Sequence, residues 1–267
     1  MVDEIPSRPV VLTIAGLDPS GGAGIVADIK TIAAFDCFPA AAITSITFQN
    51  TTGVFGAKHQ TASSLRSQVE PIISDLQVSG AKTGMLPTAD IIREVVSIFS
   101  ETELPAPVVD PVMVSTSGYD LIGAEAADLL KSDLLRLARI VTPNIPEAER
   151  LSGVNIKNQS DMRAAAEVIK QIGPAAVLVK GGHRLADSED AIDLLLSENG
   201  EFLEFRDEYV DVGEVHGSGC TLSAAIASCL ALGLSVEESV RQAKRYVTDR
   251  IRALQHLPRI GHGALPL

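Results

Sequence analysis

Apolar runs of strand length alternate with helical patterns through most of the chain. Residues 10–15 (Val-Val-Leu-Thr-Ile-Ala) are almost wholly apolar and rich in β-branched types, as a strand covered on both faces requires. A glycine-rich stretch follows, then helical spacing over about 23–35. Strand-like runs recur at 40–48, 81–85, 107–110, 139–142 and 175–180. Helical stretches lie between them, near 61–76, from about 88, near 124–130 and twice after Pro143, while residues 49–60 read as a polar loop. Uncharged strands separated by helices predict an α/β protein with a parallel sheet covered on both faces. The rhythm changes at 191–196 and 201–205, joined through Asn199-Gly200, a strong hairpin dipeptide, so an antiparallel pair is expected at a sheet edge.

The last helix opens with Ser235 and Glu238 in capping-box spacing. Its apolar positions Val236, Val240, Ala243, Val247, Ile251 and Leu254 form a core-facing stripe. The basic residues Arg241, Lys244, Arg245, Arg250 and Arg252 are expected on its solvated face.

Composition narrows the class. The 267 residues contain no linker-like stretch, so one domain over 1–267 is expected. A net charge of -12, with only 4% aromatic residues and no Trp, argues against nucleic acid as a partner. It leaves room for a phosphorylated small molecule, because local N–H groups and a cation outweigh a global field. Three scattered cysteines (Cys37, Cys220, Cys229) suit a reducing compartment. With no apolar signal core and no apolar run of spanning length, a soluble cytoplasmic protein away from membranes is expected.

The chemistry gathers where strands end. In parallel sheets ligands sit beyond the carboxyl ends of the strands. The first strand is followed by Gly16-Leu17-Asp18-Pro19-Ser20-Gly21-Gly22-Ala23-Gly24, with Asp28 one turn into the helix. This is not a dinucleotide fingerprint: the turn is too long, and no acid ends the second strand. That strand ends instead at Gln49-Asn50, whose amides can present donor and acceptor to a ring edge. Gly84-Met85, Asp110-Pro111-Val112-Met113, Pro143-Asn144-Ile145-Pro146-Glu147 and Lys180-Gly181-Gly182-His183 follow the next four. Asp110 and Glu147 could hold Mg²⁺ directly or through water, and Lys180 could neutralise a phosphate.

Beyond these lies Val215-His216-Gly217-Ser218-Gly219-Cys220-Thr221, opening a long apolar helix. Two glycines and a helix N-terminus make an anion cradle, and Cys220 stands in the first turn. There the helix field is expected to lower its pKa and favour thiolate. Whether Cys220 acts as a base or only shapes the cradle is open from sequence.

Taken together, Gly16–Gly24 with Asp28, Gln49-Asn50-Thr51, Lys82-Thr83-Gly84-Met85, Asp110–Met113, Thr142–Glu147, Lys180–His183 and His216–Thr221 resemble the hydroxymethylpyrimidine/phosphomethylpyrimidine kinases of thiamine biosynthesis. The resemblance implies a ribokinase-like three-layer αβα sandwich with a mostly parallel sheet. It also implies ATP- and Mg²⁺-dependent phosphorylation of 4-amino-5-hydroxymethyl-2-methylpyrimidine to its monophosphate and then its diphosphate. On this pattern Gly16, Asp28, Gln49, Met85 and Val112 would form the pyrimidine pocket. Gly217, Ser218 and Gly219 would form the anion hole, with Cys220 as the base. Asp110, Asn144, Glu147 and Lys180 would hold Mg²⁺–ATP. Relatives of the fold are often homodimers. Leu17, Val215 and Phe48 depart from the family's usual residues, and 184–190 is expected to form a flap. Pyridoxal kinase of the same fold is the alternative reading.

Overall fold

The computed structural model describes residues 8–115, 117–182, 190–258 and 260–267. The chain begins with β1 (Val10–Leu17), α1 (Gly24–Ala34), β2 (Phe38–Asn50), β3 (Gly53–His59), α2 (Ala62–Asp75), β4 (Val78–Thr83), α3 (Ala89–Glu101) and β5 (Val108–Val109). It continues through α4 (Ala124–Ser132), β6 (Ile140–Val141), α5 (Ile145–Ser152), α6 (Gln159–Ile172), β7 (Val177–Lys180), β8 (Asp190–Leu196) and β9 (Phe202–Glu208). β10 (Val215–His216), α7 (Ser218–Ala231), α8 (Val236–Leu254) and β11 (Leu265–Pro266) follow.

One nine-stranded sheet runs in the order β3-β2-β1-β4-β5-β6-β7-β8-β9. The strands from β2 to β7 in that order are parallel, whereas β3, β8 and β9 are antiparallel to their neighbours. The two-residue alternation of a strand divides the side chains between two cores. Val10, Leu12 and Ile14 of β1 pack with α2 to α6 on one face, and Val11 packs with α1, α7 and α8 on the other. Helices, sheet and helices make three layers. Because β1 pairs with both β2 and β4, the strand order reverses there, and a crevice opens beyond its carboxyl end.

The edge hairpin expected through Asn199-Gly200 is β8–β9. A second antiparallel element was not expected: residues 53–59, read as polar loop, form β3 against β2. The turn between them is closed by Asn50 Oδ1, which accepts from the N–H and hydroxyl of Thr52. β3 has no fully buried position, and Phe55 is 70% exposed, so no apolar alternation marked it. Lys244 also departs from expectation. It is buried and donates to Asp193 Oδ2 at 2.8 Å, off the solvated face of α8. Residues 183–189, with His183 and most of the expected flap, lie outside the described residues.

The long helix α7 lies close on β4 because small residues face each other there. A methyl group at Gly80 would stand 2.8 Å from the Ala227 carbonyl oxygen and 2.9 Å from Ala231 Cβ. Gly80→Leu is therefore expected to push α7 off the sheet and cost about 1–3 kcal/mol, the usual scale of overpacking. An unchanged denaturation midpoint in urea would show that α7 has room to move.

Candidate functional site

The strand ends open into a cleft of about 750 Å³. Its walls include Gly16, Gln49, Met85, Asp110, Val112, Asn144, Glu147, Lys180 and the helix start Gly217-Ser218-Gly219-Cys220. Of the residues expected to form the pyrimidine pocket, the anion hole and the Mg²⁺–ATP side, Asp28 alone does not line it, and Asn50 beside Gln49 also stands outside it. Asp28 is fully buried on α1 and does not front the pyrimidine pocket expected of it.

The start of α7 is fixed by backbone packing. Gly217 has φ 84°, and a methyl group there would stand 1.9 Å from the Gly22 carbonyl oxygen. Only glycine fits both constraints. No side chain caps α7, so its first N–H groups and helix field are left to an anion in the cleft. A methyl group at Gly219 would stand 3.1 Å from Lys180 Nζ. The cradle and the lysine are therefore immediate neighbours.

Lys180 ends β7 and donates to Asp110 Oδ1 at 3.2 Å. Ser223, one turn into α7, donates to Asp110 Oδ2 at 3.3 Å. Asn144 and Glu147 form a reciprocal cap on α5: Glu147 N–H donates to Asn144 Oδ1, and Asn144 N–H donates to Glu147 Oε2. Burial, opposed by Lys180 and reinforced by the Asp110 charge, pushes the Glu147 carboxyl up to about 7. Burial alone would lower the Lys180 ammonium, but Asp110 and Glu147 hold it above its usual range. Two carboxylates and one lysine thus share a small, water-poor space.

Beneath this layer lies an ion pair that sequence reasoning did not assign. Lys82 Nζ contacts both oxygens of Asp28, at 2.7 and 2.8 Å, and Thr13 Oγ1 donates to Asp28 Oδ2 at 2.6 Å. All three side chains are fully buried. Burial opposes the Lys82 charge, but the fields of Asp28 and Asp110 hold it above its usual range. A lysine inside an otherwise small and apolar strand was the available signal.

Cys220 is a correction. Burial pushes its thiol up to about 11, more than the Lys82 charge and the Gly24 N–H can offset. The helix start does not yield a resting thiolate, because the nearby carboxylates Asp28 and Asp110 add to the burial.

Two further cleft residues had been quoted from sequence without a role. Asp18 Oδ2 lies 3.0 Å from His216 Nε2, and the Gln49 amide lies 3.1 Å from the same nitrogen. An acid inside a glycine-rich loop was the legible sign of the first. Nothing local marked the second, since the pair is 198 residues apart.

A parallel sheet with a switch-point cleft, an uncapped helix start and a neighbouring lysine–carboxylate pair have the makings of a phosphotransferase site. Comparison with known proteins agrees. A family model described as phosphomethylpyrimidine kinase matches residues 18–267, and the chain belongs to that family. It is 43% identical to the thiamine biosynthesis bifunctional protein ThiED of Geobacter sulfurreducens, over 96% of this chain and 51% of that protein. The chain thus spans about half the length of such bifunctional relatives. A crystal structure of phosphomethylpyrimidine kinase from Clostridium difficile superposes with a TM-score of 0.80 at 43% identity, covering 91% of this chain and 100% of that one. The pyridoxal kinase of Staphylococcus aureus, solved with AMP-PCP and pyridoxal, superposes with a TM-score of 0.86 at 31% identity, covering 98% and 93%.

Removing one partner of the buried pair should be far worse than removing both. Lys82→Ala leaves Asp28 uncompensated and is expected to cost about 3–5 kcal/mol of stability. The double variant Lys82→Met, Asp28→Leu should recover much of that loss. Urea denaturation of the single and double variants measures it; strictly additive losses would show that the two charges are not coupled.

Proposed function

We propose that this chain, acting as one kinase domain over residues 1–267, transfers the γ-phosphoryl group of ATP to 4-amino-5-hydroxymethyl-2-methylpyrimidine and then to the resulting monophosphate. The observation that carries this reading is the meeting, in one cleft, of an uncapped helix start, the Lys180–Asp110 pair and the Gln49 amide. Phosphoryl transfer needs little covalent help from a protein, and positioning with charge neutralisation supplies most of the rate. Gly217, Ser218 and Gly219 offer N–H groups to the moving phosphoryl. Lys180 offers a cation beside them. Gly16, Gln49, Met85 and Val112 form the wall for the ring, and Asp28 supports that wall from below through Lys82.

Asp110 and Glu147 fit a magnesium ion. Mg²⁺ commonly takes one or two carboxylates with phosphate oxygens and waters. Among the described residues no group of three His, Cys, Asp or Glu side chains is arranged to hold a metal, as suits an ion held largely by phosphate. Burial, with the Asp110 charge beside it, raises the Glu147 carboxyl, and a cation there would favour its ionised form. When bound, the ion supplies charge neutralisation to the nucleotide phosphates. Asn144 orients Glu147 through their reciprocal cap.

In the first transfer an alcohol oxygen forms a bond to phosphorus as the bond to ADP breaks, and the alcohol proton must leave. Cys220 takes it as thiolate. With the thiol at about 11, that form is scarce at neutral pH and increases about tenfold per pH unit up to that value. The second transfer uses a phosphate oxygen that is already ionised and needs no base.

Pyridoxal is the second reading, favoured by the superposition on the S. aureus pyridoxal kinase. Three free cysteines fit a reducing compartment such as the cytoplasm. A homodimer is the expected assembly, checked by sedimentation.

Turnover with ATP against the pyrimidine alcohol, its monophosphate and pyridoxal tests the function; pyridoxal alone being phosphorylated would overturn it. Cys220→Ala should slow the alcohol step by roughly 10²–10⁴, the range for a general base, and the monophosphate step much less. In the parent, single-turnover rates of the alcohol step alone should climb with pH above neutrality. Equal losses in both steps would remove the base role from Cys220.

Asp110→Ala and Glu147→Ala are each expected to raise the Mg²⁺ concentration needed for half-maximal rate. Unchanged Mg²⁺ titrations in both variants would dismiss the ion site.

A further inference from the structure

The proton positions around Asp18, His216 and Gln49 are fixed by elimination. Asp18 Oδ2 accepts from the N–H groups of Gly22 at 3.1 Å and Ala23 at 2.9 Å. Its Oδ1 accepts from the N–H and hydroxyl of Ser20, at 2.8 and 2.6 Å. Burial alone would raise this carboxyl, but hydrogen bonds from His216 and Ser20 hold it below its usual range. Asp18 is therefore an acceptor only. His216 Nε2, 3.0 Å from Oδ2, must carry a hydrogen, whether the ring is neutral or charged. The ring is held in that orientation by its surroundings. A methyl group at Gly22 would stand 2.7 Å from its Cδ2 and 3.0 Å from Pro266 Cβ, and β11 pairs with β10 at His216.

Gln49 Nε2, as the amide is oriented, stands 3.1 Å from that same His216 Nε2. Two donors do not face each other, and the ends of a carboxamide are told apart by their partners. The amide oxygen takes the position beside His216, sharing its N–H with Asp18. The amino group is left for the cleft, which Gln49 lines.

We propose that Asp18 and His216 are positioning residues that lock the Gln49 carboxamide with its amino group toward the substrate, so that the site selects a heteroaromatic ring offering an acceptor nitrogen over one offering an N–H. The inference deepens the pyrimidine reading above and rests on it for the choice of substrates. The lock explains how a half-buried, flexible side chain reads a ring edge with one polarity. A free carboxamide would turn over and accept either edge.

The test compares the aminopyrimidine alcohol with its 4-oxo counterpart, whose ring nitrogen beside the oxo group carries N–H. The parent should prefer the amino compound. In His216→Leu the amide is free to turn. KM for the amino compound should then rise about tenfold and KM for the oxo compound should fall, with both kcat values and the KM for ATP nearly unchanged. His216→Gln can present an amide N–H between Asp18 and Gln49 and should restore much of the preference. A parallel rise in both KM values, or a loss confined to kcat, would overturn the lock and leave His216 a packing residue. Nitrogen-15 NMR of the substrate-free parent provides a readout independent of turnover. A protonated Nε2 on His216 is expected, and a bare Nε2 would overturn the proposal. If neither alcohol is phosphorylated by the parent, the pyrimidine reading falls, and the NMR result still decides the lock.

Discussion

One buried ammonium underlies the whole site. Lys82 and Asp28 are fully removed from water, where each charge alone would be too costly to keep. They are tolerated because both carboxylate oxygens face the ammonium and Thr13 fills a further lone pair. The pair ties α1 to β4 across β1, at the place where strand order reverses. The glycine-rich loop that enters α1, and through it the contact between Gly22 and Gly217, rests on this anchor. The position of the anion cradle thus depends on a charge that does not itself line the cleft.

The layering also sets the chemistry. Positive groups lie above and below Cys220, at Lys180 and Lys82, while Asp28, Asp110 and Glu147 surround them in a water-poor space. Opposed charges in such a medium act strongly at short range, so small changes of occupancy shift several groups together. Protonation at rest leaves Cys220 only a small thiolate fraction with which to accept the alcohol's proton. It also keeps the nucleophilic sulfur from reacting with the substrate it serves.

The layered α/β architecture was legible from sequence because strands covered on both faces are apolar throughout, and Asn199-Gly200 marked its hairpin. The cleft residues were legible because a parallel sheet places every strand's carboxyl end at one edge. What stayed hidden depended on tertiary surroundings. β3 is half-exposed on both faces and has no period to read. The charge of Lys244 suggests a solvated face, but four residues after Val240 and three before Val247 it borders the buried stripe, where it pairs with Asp193. Asp28 was read as a substrate contact because its partner, Lys82, lies 54 residues away. The Cys220 thiol was misjudged because a helix field is visible in sequence and desolvation is not.

The contact between His216 and Asp18 closes a loop of about three quarters of the chain, since 198 residues separate them. Such a closure costs entropy that grows only slowly with length, yet it can form only after the intervening strands have ordered. The face packed by α2 to α6 uses contacts that are nearer in sequence, and it can condense while the C-terminal third is still unfolded. Catalytic competence would then be the last property acquired on folding. By the same topology it would be the first property lost if the short β10–β11 pair opened while both cores stayed packed. Loss of activity without loss of helical signal would then mark local opening at the seam between the two ends of the chain.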